Sequence, residues 1–86
     1  MQIIYTPKAK EHFDFWVNTG NKPVLKKILE LTKSILENPY EGIEKPEPLK
    51  HELSGYWSRR INAEHRFIYK INGETLIIAS LKGHYF

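Results

Sequence analysis

The chain has 86 residues, enough for one domain with a single modest hydrophobic core. It contains no cysteine, which excludes disulfide cross-links and thiol chemistry. Its longest apolar run, Leu76 to Ala79, is far shorter than the roughly 18 residues of a membrane span. No signal peptide is recognisable. We therefore expect a soluble cytoplasmic protein with one domain over residues 1–86.

The formal net charge of +3 comes from the C-terminal half of the chain. Residues 1–47 hold seven lysines and seven acidic residues, which balance. Residues 48–86 hold six lysines and arginines against three acidic residues, so 6 − 3 gives the whole +3. A positive patch on one half of a domain is typical of an anion-binding surface, most often one for nucleic acid. A solvated basic surface would produce the same pattern.

The first half of the chain predicts one strand and two helices. Residues Met1 to Tyr5 are apolar and form a strand candidate. Thr6 can cap a helix that has proline at its first position, and Gly20 supplies the left-handed residue with which many helices end. Asn21 can cap a second helix, whose apolar residues recur at i, i+3, i+4 and i+7. This helix should end before Pro39, because the residue before a proline avoids the helical region.

The second half predicts strands. Residues 39–48 contain three prolines and a glycine and read as a loop. Apolar residues then alternate in three segments, Tyr56 to Ile61, His65 to Ile71 and Thr75 to Leu81, and Asn72-Gly73 is a type I′ turn signal. The predicted fold class is α+β, with two N-terminal helices packed on one face of a small antiparallel sheet.

All three arginines lie on the hairpin formed by the first two of these strands. Alternation places Arg60 and Arg66 on the open face of the sheet and Phe67 and Tyr69 on the face that meets the helices. Arg59 has the parity of the buried face. We therefore expect it near an edge of the sheet, with its guanidinium in water.

Two guanidiniums on one face suit a phosphate, whose oxygens match their planar donors. A ribonuclease also needs a base that takes the 2′-hydroxyl proton and an acid that protonates the departing 5′-oxygen. Glu47 lies between two prolines and is a candidate base with a partly desolvated carboxylate, and His84 in the tail is a candidate acid. Taken singly, such residues are more often an ordinary loop acid and an ordinary tail histidine.

The other histidines have weaker claims to a functional role. His12 lies near the core stripe of the first helix and is predicted to be structural, while His51 and His65 either support the site or merely line it. No spacing of histidines and acids matches a metal-binding motif, and no glycine-rich phosphate loop is present. We expect neither a metal nor another cofactor.

The string EKPEPLKHELSGYWSRRINAEHRFIY, the terminal GHY and the second helix VLKKILELTKSILENPYEG closely resemble the YoeB toxins. These form the Txe/YoeB branch of the RelE-like superfamily in bacterial toxin–antitoxin modules. The resemblance covers essentially the whole chain. It implies a RelE-like fold and a ribosome-dependent mRNA endoribonuclease that cuts messages in the A site and inhibits translation. It also implies a cognate antitoxin of YefM type and a homodimer.

The resemblance assigns roles to individual residues. The family's general base is the glutamate of PEPLKH, here Glu47, and its general acid is the histidine of the terminal HY, here His84. The arginine of EHR, which stabilises the phosphate, is Arg66. The residues implied to support the site and bind RNA are Lys50, Arg60 and Tyr85.

This tail departs from the family's R-Y-H-Y ending. It reads KGHYF, so Gly83 adds backbone freedom beside the implied acid, and Phe86 moves the terminal carboxylate one residue past Tyr85.

Two other functions remain open at the level of sequence. A module that holds nucleic acid without chemistry would explain Arg60 and Arg66, but it leaves Glu47 without a purpose, since a carboxylate repels a phosphate ligand. A toxin of the same fold that poisons DNA gyrase through protein contacts would need neither a base nor an acid.

Overall fold

The structure is a computed structural model, and it describes residues 1–84. Its elements in chain order are β1 (Gln2–Tyr5), α1 (Pro7–Asn18), α2 (Lys22–Glu37), β2 (Glu47–Pro48), a 3₁₀ turn (His51–Leu53), β3 (Trp57–Arg60), β4 (Arg66–Asn72) and β5 (Thr75–Ser80). The predicted helices and the three C-terminal strands are all present. The short strand β2 lies in what the sequence predicted to be loop.

The five strands form one sheet in the order β1-β5-β4-β3-β2. The pairs from β2 to β5 are antiparallel, whereas β1 lies parallel to β5, with Gln2 opposite Thr75. The α+β prediction is confirmed, but the sheet is mixed rather than antiparallel. A parallel pair needs a long connection, which the intervening chain supplies, and alternation within a strand carries no information about the direction of its neighbour.

Both helices begin with the predicted caps. The Thr6 side chain accepts the Ala9 N–H at 3.1 Å, and the Asn21 side chain accepts the Val24 N–H at 3.2 Å. Gly20 follows α1 with φ of 65°, the left-handed conformation expected after a helix.

The helices cover one face of the sheet and form the core with it. Trp16 of α1 is 5% exposed, and its indole N–H donates to the Leu81 carbonyl at 2.9 Å, which ties α1 to the end of β5. No helix in the described part of the chain is long and apolar enough to cross a membrane. The buried apolar residues of the core are Ala9, Trp16, Val24, Ile28, Leu31, Ile35, Ile61, Phe67, Tyr69, Leu76, Ile78 and Leu81.

The β4–β5 turn differs by one residue from the prediction. Asn72 pairs with Thr75, so the two turn residues are Gly73 and Glu74. Of these two, only Gly73 has a positive φ, of 63°. A glycine at the first central position is the pattern of a type II′ turn rather than type I′.

A β-bulge interrupts the pairing of β4 and β5. Tyr69 pairs with Ile78, but the preceding Ile68 pairs with Ser80, so Ala79 is an extra residue. The bulge reverses the alternation of the strand and brings Leu81 into the core, where it is fully buried. It therefore sets the course of the tail that carries His84.

Candidate functional site

A cleft of about 200 Å³ lies on the sheet face that alternation assigns away from the helices. Its walls come from β2 and the loop before it, from the adjacent strands β3 and β4, and from the C-terminal tail. The cleft therefore brings together four of the residues singled out from the sequence. The full lining is Glu44, Lys45, Glu47, Ser58, Arg60, Arg66 and His84.

Arg60 and Arg66 lie directly opposite each other on β3 and β4. The Arg60 N–H donates to the Glu44 carbonyl at 3.1 Å and the Arg66 N–H to the Gly83 carbonyl at 2.8 Å. Both N–H groups thus point away from the partner strand, so Arg60 and Arg66 form no backbone hydrogen bonds with each other. In antiparallel sheets, the side chains of such pairs stand closer together than those of hydrogen-bonded pairs. Within residues 1–84 neither guanidinium forms an ion pair. Like charges opposite each other are unfavourable, and an anion bound between them would remove that repulsion.

The Arg66 guanidinium is oriented by the turn between β3 and β4. Its Nη1 donates to the carbonyls of Asn62 at 2.8 Å and His65 at 3.1 Å. The turn is itself stabilised by the Asn62 side chain, which accepts the N–H groups of Glu64 and His65 at 2.9 Å each. One edge of the guanidinium is therefore held against backbone oxygens.

Glu47 lies in the edge strand β2, opposite Ser58 of β3. Paired residues project to the same face, so Glu47 shares the open face with Ser58 and with Arg60 two residues further on. Glu47 is exposed, which contradicts the expectation of a partly desolvated carboxylate. Its flanking prolines remove N–H donors, but β2 is a short edge strand, and nothing within the described residues covers it.

The loop before β2 contributes two lining residues that the sequence did not indicate. Glu44 and Lys45 both have a positive φ, of 60° and 51°, which is uncommon for residues other than glycine. The Glu44 carboxylate accepts from the Lys27 ammonium of α2 at 2.6 Å, and this hydrogen bond raises the pKa of Lys27. Glutamate and lysine are not turn signals, so no local pattern predicts this left-handed backbone at Glu44 and Lys45.

The tail is fixed on both sides of Gly83. The Gly83 N–H donates to Nδ1 of His65 at 2.9 Å, and its carbonyl accepts the Arg66 N–H. Gly83 has φ of 80°, so its freedom is used to reach a left-handed conformation. His84 follows, exposed and at the cleft.

His12 is structural, as predicted. Its Nδ1 accepts the Leu81 N–H at 3.0 Å and lies 3.4 Å from the Ser80 hydroxyl. Burial, followed by the positive charges of Lys82 and Lys8, lowers the pKa of His12 below 6.5. The imidazole is therefore neutral at neutral pH, as an acceptor of a backbone N–H must be at that nitrogen.

The remaining predicted site residues lie outside this cleft or outside the described chain. Lys50 and His51 line a neighbouring open depression together with Glu47 and Leu53. Tyr85 belongs to the part of the chain that the structure does not describe.

Arg59 contradicts the prediction that its guanidinium reaches water, because it is fully buried. Its five N–H groups donate to five oxygens: the side chains of Tyr69 and Ser34 and the carbonyls of Asn38, Glu41 and Ile43, at 2.8 to 3.3 Å. Burial raises the pKa of Tyr69, whose hydroxyl donates in turn to the Pro39 carbonyl at 2.6 Å. Arg59 does lie on the buried face, as strand alternation predicted. The loop that follows α2 folds over its side chain and supplies acceptors for its N–H groups.

The charge of the cleft favours an anion. Three cationic residues, Lys45, Arg60 and Arg66, face two acidic ones, so 3 − 2 leaves +1 before His84 is counted. One of those acids, Glu44, is already paired with Lys27. Among residues 1–84, no three histidine, aspartate or glutamate side chains come together as a group that could hold a metal ion.

Comparison with known proteins identifies the family. The family model of the YoeB-like toxin of bacterial type II toxin–antitoxin systems matches residues 5–85. Toxin YoeB of Escherichia coli K12 is 45% identical over 85 residues, which cover 99% of this chain and all of that protein. Toxin YoeB of Synechocystis is 48% identical over 85 residues, covering 99% of this chain and 98% of the other.

Solved structures agree with the sequence comparison. The YoeB/ParE toxin from Agrobacterium tumefaciens superposes with a TM-score of 0.95 at 38% identity, covering 99% of this chain and all of that one. The toxin chain of a YoeB–YefM complex from Staphylococcus aureus superposes at 0.89 with 48% identity, and a YoeB dimer from the same organism at 0.89 with 46% identity. Each covers 99% of this chain and 98% of the other. The chain therefore belongs to the YoeB-like toxin family of bacterial type II toxin–antitoxin systems.

Proposed function

We propose that the chain is a ribosome-dependent endoribonuclease that cleaves mRNA in the ribosomal A site and so inhibits translation. The observation that carries this proposal is the meeting of a carboxylate, two arginines and a histidine around one small cleft. These groups come from three separate segments of the chain, and together they match the parts needed for acid–base cleavage of RNA.

In the proposed reaction, the Glu47 carboxylate takes the proton of the 2′-hydroxyl, and the 2′-oxygen attacks the adjacent phosphorus. Arg66 and Arg60 stabilise the added negative charge of the phosphorane. His84, protonated, gives its proton to the 5′-oxygen as the bond from phosphorus to that oxygen breaks. The products are a 2′,3′-cyclic phosphate and a free 5′-hydroxyl, and no step requires a metal ion.

The size of the cleft supports dependence on the ribosome. At about 200 Å³ it is smaller than the roughly 300 to 1,000 Å³ of typical ligand pockets, so it suits a phosphate and its sugar rather than several bases. Glu47, Arg60 and His84 are all exposed, and no described segment closes over them. A ribosome that holds the codon in place would supply the orientation that the free protein lacks.

Two further residues are proposed to bind RNA beside the cleft. Lys50 lies in the depression next to Glu47 and can contact the phosphate backbone as a point charge. We assign the same supporting role to Tyr85.

A cognate antitoxin of YefM type and a homodimer complete the proposal. The related Staphylococcus aureus toxin has been solved both with YefM and as a dimer. An acidic or apolar antitoxin segment laid across the basic open face would block Arg60 and Arg66 from RNA. Because ribosomes and messages are its targets, the toxin would act in the cytoplasm.

The mechanism can be tested on programmed ribosomes that carry a defined message. The wild type should cut the message in the A site, and Glu47→Gln and His84→Gln should each lower the rate about 100-fold or more. Glu74→Gln, which removes the same charge in the distant β4–β5 turn, is the matched control and should cut normally. Undiminished cleavage by both cleft variants would overturn the mechanism.

Ribosome binding gives a second readout. Glu47→Gln should still co-sediment with ribosomes, because it removes a negative charge from a surface that meets phosphates. Loss of co-sedimentation would mean that Glu47 maintains the structure of β2 rather than taking a proton.

A further inference from the structure

We propose that His65 is a positioning residue, whose imidazole holds the tail so that His84 points into the cleft. The inference rests on the proposed function, in which His84 is the general acid. It adds a role for a second histidine that does not touch the reacting atoms.

The geometry around Gly83 carries the inference. His65 Nδ1 accepts the Gly83 N–H at 2.9 Å, and the next residue along the chain, Arg66, donates its N–H to the Gly83 carbonyl at 2.8 Å. Two consecutive residues thus fix both peptide groups that flank Gly83. The second of these peptide groups is the one that begins His84.

Glycine makes this anchor important. A glycine with both peptide groups unrestrained reaches left-handed and right-handed conformations with similar ease, and the observed φ of 80° is one of many. Each alternative would direct His84 elsewhere. The hydrogen bond from Gly83 to His65 therefore selects the conformation in which the histidine lines the cleft.

His65 is itself held firmly. Its ring packs edge-on against the indole of Trp16, with 4.8 Å between the ring centroids. Trp16 is 5% exposed and donates to the Leu81 carbonyl, two residues before Gly83. The His65 backbone is bonded too, since its N–H donates to the Asn62 side chain. A chain of contacts thus runs from α1 through Trp16 and His65 to the tail.

This arrangement assigns the tautomer of His65. A backbone N–H can only donate, so Nδ1 of His65 must carry a lone pair, and the ring proton of the neutral form is on Nε2. His65 and His84 consequently have opposite tasks: one accepts a hydrogen bond through a bare nitrogen, and the other delivers a proton.

Two substitutions separate the hydrogen bond from the packing. In His65→Asn, the side-chain oxygen stands the same number of bonds from Cα as Nδ1 and can still accept the Gly83 N–H. In His65→Leu, the apolar bulk against Trp16 is kept but the acceptor is lost. Asn21→Ala is the matched control, because it also removes a side-chain acceptor of a backbone N–H, at the start of α2 and away from the cleft.

Two quantities are measured on the full chain, at a temperature at which it stays folded. They are the kinetics of message cleavage on programmed ribosomes and the hydrogen-exchange rate of the Gly83 amide. His65→Leu should lower kcat roughly 10- to 100-fold with little change in KM, because a misplacement of about 1 Å can cost this much. Exchange of the Gly83 amide should become faster by about tenfold or more, which corresponds to losing one protecting bond. His65→Asn should retain most of the wild-type kcat and most of the protection of the Gly83 amide. Asn21→Ala should match the wild type in both measurements.

Two results would overturn the inference. One is His65→Leu with the cleavage rate and Gly83 exchange of the wild type. The other is an equal loss in His65→Asn and His65→Leu, which would mean that ring packing, not the acceptor, matters. If the wild type itself leaves the message intact, the proposed function fails, while the Gly83 exchange still shows whether His65 holds the tail.

Discussion

Replacing Arg59 by lysine tests whether the buried guanidinium holds the loop after α2 onto the sheet. The substitution keeps the positive charge and much of the side-chain length. It changes the number of donors, since an ammonium offers three N–H groups and a guanidinium five. All five are used in the native chain.

The expected loss of stability in Arg59→Lys follows from this difference in the number of donors. At least two of the five hydrogen bonds of the guanidinium are lost in Arg59→Lys, and a hydrogen bond to a charged group contributes about 1.5 to 3 kcal/mol, so the total loss is about 3 to 6 kcal/mol. A domain of this size has roughly 4 to 13 kcal/mol of stability in all. Since 1 kcal/mol shifts the melting temperature of such a domain by about 4 to 8 °C, we expect a decrease of about 10 °C or more.

The assay is thermal unfolding followed by circular dichroism, with Arg60→Lys as the matched control. Arg60 is the next residue along the strand but is exposed, so its replacement should change stability by no more than about 0.5 kcal/mol. If Arg59→Lys melts together with Arg60→Lys and within about 3 °C of the wild type, the buried guanidinium does not hold the loop onto the sheet.

Three further substitutions test individual contacts of the fold: Gly42→Ala and Tyr69→Phe beside Arg59, and His12→Asn beside Leu81. In Gly42→Ala, the added Cβ would stand 2.9 Å from Nη1 of Arg59 at a φ of 136°, so urea unfolding should show a loss. We expect that loss to be about 2 kcal/mol or more from clash and backbone strain, and an unchanged midpoint would contradict the close approach. Tyr69→Phe removes the hydroxyl that contacts Arg59 and should cost about 1 to 3 kcal/mol, so a variant as stable as the wild type would show that this bond contributes nothing. The lowered pKa of His12 makes the neutral imidazole the favoured form in the fold, so its contribution is complete above pH 6.5 and falls as the pH drops below that value. His12→Asn, which keeps an acceptor for Leu81, should show a smaller acid destabilisation than the wild type, and identical curves between pH 7 and 5 would refute this.

The buried side chain of Arg59 also helps to position the candidate site. Arg59 stands between Ser58 and Arg60, which both lie at the cleft, while its own side chain holds the carbonyls of the loop that leads to Glu44. One strand thus presents a binding face on one side and anchors the neighbouring loop on the other. A substitution that removes these hydrogen bonds of Arg59 should displace residues 44–47 more than it displaces Arg60.

Much of the site could be predicted from local pattern. Alternation alone placed Arg60 and Arg66 on one face, and the structure has them directly opposite each other. That Glu47 and His84 reach the same cleft did not follow from spacing, because 37 positions separate them, and it was implied by the resemblance to the family. Glu44 and Lys45 were missed because nothing in their residue types favours a left-handed backbone.

The amino-acid sequence alone indicated the two helices with their caps, the C-terminal strands and the side to which the residues of β3 and β4 point. These features depend on neighbours within a few positions, where the periods of 3.6 and 2 and the capping residues act directly. The parallel pairing of β1, the bulge at Ala79, the burial of Arg59 and the anchoring of Gly83 by His65 emerge only in the folded chain. Each depends on which distant backbone groups come within hydrogen-bond distance. A polar side chain can be placed on a face by its position in a strand, but its partners are known only when the rest of the chain has folded around it.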